Sequence, residues 1–290
     1  MRSPQSGIFA LGTASHAYLE LDAVDDPVPV VAAVASLREP RTTIGGVNLV
    51  AGFRPELWRR VGRAEAPADV TGFDDDVVGP DGFAMPATQH DAVLWVSGAA
   101  YDVVFDVARD AIAALRGVAE VADETSSWPY RHDRDLTGFI DGSENPSLVD
   151  APATILVPDG EPGAGGTILL LQKWVHDVEA WEALPTTRQE AVIGRTKPDS
   201  VELDPRPEDS HVARTDQDDF GHIFRRNMPY GTVTDHGTMF VGFSATQKPL
   251  ADMLDSMAGL DGPRDALTDF TRPLSGAYYI VPSTDSLRAL

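Results

Sequence analysis

The stretch LTGFIDGSENPS, Leu136–Ser147, lies near the middle of the chain and holds two acids, two glycines and an Asn-Pro step. Asp-Gly and Asn-Pro are ordinary turn dipeptides, because glycine accepts a positive φ and proline fixes its own φ. The local sequence therefore favours a turn between two halves of the chain. The alternative is that Asp141 carries out chemistry, and the residues outside this stretch have to decide between the two.

Composition narrows the class of protein. The chain has 290 residues, 42% of them hydrophobic, so it can bury a sizeable core as one large domain or two ordinary ones. Its formal net charge of −22 repels phosphate, so we expect no nucleic acid and no anionic membrane as partner. The sequence contains no cysteine, which excludes disulfides, iron–sulfur centres and a thiolate ligand to haem. We find no signal-like segment and no long apolar run, so we expect a cytoplasmic protein.

Strand-like and helix-like patterns alternate in the same order on both sides of the opening stretch. The predicted strands are His16–Val24, Ala92–Ala100, Gly166–Val175, Gly237–Ala245 and Gly276–Ser283. This order suits an α+β fold of two ferredoxin-like units packed sheet to sheet, although a doubly wound parallel sheet also fits strand–helix alternation. We expect an N-terminal unit at 1–140 and a C-terminal unit at 141–290.

Three segments of the second half carry further candidate residues. They are PEDSHVARTD with His211, FRRNMPYG with Arg225 and Asn227, and ALTDFTRPLSGAYY with Asp269. Each has an ordinary explanation when taken singly. A histidine among charged residues is usually solvated or structural, an Arg-Arg pair is usually exposed, and an aspartate beside threonine often caps a helix.

Taken together with Gly138–Gly142, which reads GFIDG, these segments resemble the dye-decolorizing peroxidases, and their order and separations fit the bacterial B-type subgroup. The resemblance extends over nearly the whole chain. It implies a dimeric α+β barrel-like fold with haem b bound mainly by the C-terminal half. It also implies an enzyme that reduces hydrogen peroxide and oxidises small aromatic electron donors such as dyes and phenols. A haem carrier, a haem sensor or an iron-releasing protein is the alternative function.

The resemblance gives each residue a role. His211 would ligate the iron, and Asp269 would accept the other ring N–H of this histidine and make the ligand more electron-rich. On the opposite face Asp141 would shuttle a proton, and Arg225 would stabilise developing negative charge. Asn227 would orient water or peroxide.

Four residues are secondary candidates, each with a structural explanation beside the functional one. Arg195 is a candidate partner for a haem propionate or a member of an exposed salt bridge. Phe243 would line the haem or pack in the core. Trp128 and Tyr130 would relay electrons from bulky donors, or pack where the two halves meet.

Other histidines and the assembly state complete the expectations. His222 and His236 are rival iron ligands, whereas the remaining histidines, His16, His90, His132 and His176, are interpreted as surface or core residues. The family resemblance implies a homo-oligomer. The C-terminal residues DSLRAL faintly resemble a tail that directs some relatives into an encapsulin shell, but the usual spacer before such a tail is missing.

Overall fold

The computed structural model describes residues 2–37, 46–62, 66–67 and 69–290. The strands are β1 Ser15–Ala23, β2 Val47–Phe53, β3 Val77–Val78, β4 Ala84–Met85, β5 Ala92–Gly98, β6 Ala119–Ser127, β7 Thr167–His176, β8 Phe224–Arg225, β9 Met228–Gly231, β10 His236–Ser244, β11 Thr271–Pro273 and β12 Ala277–Val281. The α-helices are α1 Val28–Ser36, α2 Pro55–Gly62, α3 Tyr101–Ala114, α4 Ala151–Ile155, α5 Val178–Glu182, α6 Thr186–Ile193, α7 His211–Arg214, α8 Gln217–Phe220, α9 Lys248–Met257 and α10 Thr284–Arg288. Short 3-10 helices lie at Ser6–Phe9 and Ala266–Asp269.

Ten strands form one sheet in the order β11-β7-β12-β2-β5-β1-β6-β9-β10-β8, and β7 also pairs with β10. This second pairing closes eight strands, in the order β7-β12-β2-β5-β1-β6-β9-β10, into a barrel-like circuit. The short strands β11 and β8 pair with β7 and β10 at its edge. Every strand pairing in the described residues is antiparallel. The doubly wound parallel sheet is therefore excluded, and the chain has a mixed α+β fold with a sheet-rich core.

Both faces of the main strands are buried, as the alternation in β1 illustrates. Leu19 and Leu21 face an outer hydrophobic layer, whereas Tyr18 faces an inner one. The inner layer lies between the two halves of the sheet and contains residues of both, including Trp95 from β5 and Phe243 from β10. Helix α3 packs on β1 and β5, and α9 packs on β10, so the helices cover the outer faces.

The C-terminal helix α10 is attached to the start of the chain. The amide of Thr284 donates to the carbonyl oxygen of Ser3 at 2.8 Å, and the amide of Ser3 donates to the Asp285 carboxylate at 2.8 Å. The residues DSLRAL therefore belong mostly to a helix packed on the fold. Within the described ranges, no helix combines the length and the apolar character that crossing a bilayer requires.

Candidate active site

A cavity lies on the outer face of the C-terminal strands, between β7, β10 and the helices α7 and α9. It comprises about 1180 Å³ of empty space, including the open solvent at its mouth. Its apolar walls include Leu170, Trp174, Phe240, Leu250, Met253 and Leu254. Asp141, His211, Arg225 and Asn227, the four principal residues predicted from the sequence, all line this one cavity. Most of its lining comes from residue 141 onward, and the segment 135–140 supplies the rest.

Asp141, Arg225 and Asn227 form a polar group beside the sheet. The Asn227 side-chain amide donates to the Asp141 carboxylate at 3.4 Å, and its oxygen accepts from the amide of Val241 at 3.1 Å. The Arg225 side chain reaches the cavity, and its buried Nε has no hydrogen-bond partner among the described residues. A guanidinium with an unpaired donor at a cavity is suited to receive negative charge from a bound molecule.

The stretch Leu136–Ser147 forms a turn and also lines the cavity. Gly138 and Gly142 have φ values of 86° and 74°, which glycine adopts without strain. Asn145 fixes the loop to β8, since its side chain accepts from the amide of Arg225 and donates to the Arg225 carbonyl oxygen, each at 2.8 Å. The loop therefore holds Asp141 beside Arg225. The stretch can be a turn and can also present Asp141 for chemistry.

His211 enters the cavity from α7, whose N-cap Ser210 accepts a hydrogen bond from the amide of Ala213. The His211 Nδ1 lies 2.7 Å from a carboxylate oxygen of Asp265, a residue with no exposed surface. Burial lowers the pKa of His211, but the negative charge and hydrogen bond of Asp265 outweigh it and raise the pKa above its ordinary value. This pairing leaves Nε2 as the ring nitrogen available to a metal in the cavity.

The partner of His211 is thus Asp265, and the prediction of Asp269 was wrong. Asp265 stands before the 3-10 helix Ala266–Asp269 and accepts from the amide of Leu267 at 2.8 Å. Asp269 lies at the other end of this helix. Its side chain is 57% exposed and binds the Arg264 guanidinium at 2.6 Å. One turn of helix separates the two acids and points them in different directions.

Phe243 does not line the cavity, and Phe240 does. Successive side chains of a strand point to opposite faces, so residues 240 and 243 of β10 face different layers. Phe243 is fully buried in the inner layer, where its ring centroid lies 6.2 Å from that of Trp95. The prediction that Phe243 lines the haem was wrong for this reason.

Arg195 lines the cavity and is held by neighbouring groups. Its guanidinium lies 2.5 Å from the carboxylate of Glu144 and 2.9 Å from the carbonyl oxygen of Ser200. Its buried Nε has no hydrogen-bond partner in the described part of the chain. Arg195 is therefore placed at the cavity wall with its Nε donor unused.

Among the other histidines, His176 is the one the sequence analysis missed. It lines the cavity, where its Nε2 lies 3.1 Å from the Thr238 hydroxyl. Burial, with the charge of His236 adding to it, lowers the pKa of His176 to about 4. The rival ligands His222 and His236 are not among the residues that line this cavity, and neither are Trp128 and Tyr130.

The residues present suit an iron porphyrin better than a bare metal ion. In the described residues, no group of three or more histidine, cysteine, aspartate or glutamate side chains could hold a metal ion. The cavity offers one imidazole backed by a carboxylate, within largely apolar walls. A metal bound here must bring its other ligands with it, as the iron of haem does.

Comparisons with known proteins agree with this geometry. Family models described as "Dyp-type peroxidase, N-terminal" and "Dyp-type peroxidase, C-terminal" match residues 25–128 and 132–286. A dye-decolorizing peroxidase of Mycolicibacterium paratuberculosis is 35% identical over 277 residues, which cover 92% of this chain and 77% of that protein. Proteins of Yersinia named deferrochelatase are 27% identical over 176 residues, which cover 50% of this chain and 40% of theirs.

Solved structures extend the likeness to the fold. A dye-decolorizing protein from V. cholerae has a TM-score of 0.90 and 32% identity, covering 99% of both chains. A variant of DypB from Rhodococcus jostii RHA1 in complex with heme also has a TM-score of 0.90 and 32% identity, covering 100% of both chains.

Proposed function

This chain belongs to the Dyp-type peroxidase family, and we propose that its cavity binds haem b, reduces hydrogen peroxide and oxidises one-electron donors such as phenols and dyes. One observation carries the assignment of residues: a carboxylate-backed imidazole and an Asp–Arg–Asn group line the same cavity. The two groups match the two tasks of such an enzyme, which are to hold iron and to receive the oxidant.

The proposed haem contacts follow from the free donors of the cavity. His211 ligates the iron through Nε2, and Asp265 holds the other ring nitrogen. Arg195 binds a propionate with the donor that has no partner in the described residues. When bound, haem supplies the electrons that reduce the peroxide, and aromatic donors replace them one at a time.

The chain itself handles the proton and the charge. Asp141 accepts a proton from one oxygen of hydrogen peroxide and returns it to the other oxygen, which leaves as water. Arg225 stabilises the negative charge that develops while the O–O bond breaks, because a guanidinium is a planar cation that donates hydrogen bonds to anionic oxygens. Asn227, already in contact with Asp141, orients the peroxide.

Several finer expectations belong to this proposal. The strand orders β6-β1-β5-β2 and β12-β7-β10-β9 place corresponding strands of the two halves in equivalent positions, which supports two ferredoxin-like units at 1–140 and 141–290. Electron relay through Trp128 or Tyr130, a homo-oligomer, a cytoplasmic location and packaging in an encapsulin shell stay predictions.

Absorption spectroscopy and stopped-flow mixing with hydrogen peroxide test the proposal. The purified protein should show a Soret band that changes within about a second of mixing. Asp141→Ala or Arg225→Ala should slow this change at least about tenfold, which corresponds to roughly 1.4 kcal/mol in the barrier. Asp133→Ala is the matched control, because its side chain is exposed on the same loop.

Two outcomes would contradict the proposal. One is unchanged kinetics in both cavity variants. The other is free transfer of haem to apomyoglobin with negligible peroxide turnover, which would support a haem carrier or an iron-releasing protein instead.

A further inference from the structure

A second carboxyl, that of Asp135, lines the same cavity as Asp141 and has no part in the reaction described above. The two acids lie on one hairpin, in which Arg134 forms a β-bridge with Ile140. In the next pair toward the turn, the amide of Asp135 donates to the carbonyl oxygen of Phe139 at 3.1 Å. Side chains alternate between the faces of paired strands, so Asp135 and Asp141 lie diagonally across one face, about 7–8 Å apart.

The turn that follows Asp135 fixes its carboxylate. Its Oδ1 accepts from the amide of Thr137 at 2.8 Å and also from the Thr137 hydroxyl. Oδ2 takes no part in this turn and remains available to the cavity. An asparagine at this position would keep the Oδ1 acceptor, so the turn should survive when the charge is removed.

The surroundings of Asp135 make its charge sensitive to pH. Burial and the negative charge of Asp141 raise the pKa of Asp135 to about 6, against the opposing hydrogen bonds of Thr137 and the charge of His211. The other ionisable groups that line the cavity are Arg225 from β8, His176 from β7 and the Arg195–Glu144 pair. Asp135 is therefore positioned to change the balance of charge around Asp141.

We propose, resting on the proposed function, that Asp135 is a positioning residue for the peroxide reaction. Its neutral form lets Asp141 return a proton to the departing oxygen, and its charged form holds that proton on Asp141. The physical reason is that a second negative charge across the hairpin attracts the proton in transit and opposes its delivery to the departing oxygen. The proton comes from one peroxide oxygen and ends on the other, and the cofactor supplies both electrons.

Stopped-flow measurement of the peroxide reaction of the holoenzyme, over a range from about pH 4.5 to 8, tests the proposal. The wild-type rate constant should fall about tenfold as the pH rises through 6. Asp135→Asn should keep the high rate constant across the range, and Asp135→Glu should restore the fall. Asp110→Asn, at an exposed position of α3 that does not line the cavity, should behave as the wild type.

Infrared titration of the holoenzyme gives a readout independent of turnover. A protonated-carboxyl band that disappears near pH 6 should be absent in Asp135→Asn. In Asp141→Asn the same band should disappear at a lower pH, because the neighbouring negative charge has been removed.

Two results would overturn the role of Asp135. One is an Asp135→Asn enzyme with the pH dependence of the wild type, and the other is a carboxyl band that Asp141→Asn leaves unmoved. A wild-type holoenzyme that does not react with peroxide at any pH would instead refute the proposed function itself, so the two failures are distinguishable.

Discussion

Asp265 makes two hydrogen bonds beside the cavity. One of its carboxylate oxygens lies 2.7 Å from His211 Nδ1, and the other accepts from the Leu267 amide. It is fully buried, so removal of the carboxylate leaves both donors without water to replace it. Asp269, four residues later, binds Arg264 at the surface, where solvent weakens the ion pair. The two aspartates therefore form a natural pair for comparison.

We expect Asp265→Ala to lower the free energy of unfolding by about 1–3 kcal/mol, and Asp269→Ala to change it by no more than about 0.5 kcal/mol. Urea unfolding followed by circular dichroism measures both. In the haem-loaded protein, Asp265→Asn should also raise the reduction potential, since a neutral amide makes the imidazole less electron-rich. Equal losses of stability in the two alanine variants would show that Asp269, not only Asp265, supports the site.

The errors at this scale have a physical reason. The sequence DALTD offers two aspartates within five residues, and the 3-10 turn that separates them cannot be read from composition. Likewise, residues 240 and 243 are both phenylalanine in one apolar strand, and the face each one takes depends on the register with β7. Asp141, His211 and Arg225 line one cavity, and it was their motifs, not their local structure, that singled them out in the sequence.

At the scale of elements, the pairing of β7 with β10 builds the floor of the cavity. It runs from Gly237 opposite Val175 to Ser244 opposite Ile168. Apolar runs predicted both strands to within two residues. No strand was predicted over β6, because the alternating acids of its sequence AEVADETSS leave few apolar residues to indicate one.

Gly237 is the point where these two strands leave no room for a side chain. A Cβ atom there would lie 1.8 Å from the carbonyl oxygen of Trp174, so Gly237→Ala must push β10 away from β7. We expect a loss of more than about 2 kcal/mol in unfolding free energy and weaker haem binding. Thermal unfolding and haem titration measure the two effects.

Gly46→Ala is the matched control, because its Cβ would meet no atom of the described residues within 4 Å. It should leave both measurements unchanged. A Gly237→Ala protein as stable as this control would mean that the strands can separate without cost.

At the scale of the whole molecule, the inner layer joins the two halves of the chain. Tyr18 and Trp95 from the first half pack in the same cluster as Phe243 and Tyr279 from the second. His16 lies at one end of this layer with no exposed surface, and the Trp95 indole donates to its Nδ1 at 3.0 Å. The apolar runs indicated a buried core, but this polar contact across β1 and β5 depends on their register.

The buried histidine predicts how the molecule responds to acid. Burial, with the charge of Arg226 adding to it, lowers the pKa of His16 from 6.5 to about 4. Between these pH values the unfolded chain binds a proton that the folded chain does not, so stability is complete above pH 6.5 and decreases as the pH falls to 4. The loss attributable to His16 should be about 3 kcal/mol.

Urea unfolding of the wild type and of His16→Gln at neutral pH and near pH 4 separates this contribution from the others. The glutamine can accept the Trp95 hydrogen bond but cannot bind a proton, so the variant should lose about 3 kcal/mol less than the wild type between the two conditions. His132→Gln, exposed on a loop, should lose as much as the wild type. Equal losses of unfolding free energy in His16→Gln and the wild type would mean that His16 binds a proton as readily in the folded protein as in the unfolded chain. The inner layer would then have to accommodate a charged imidazole.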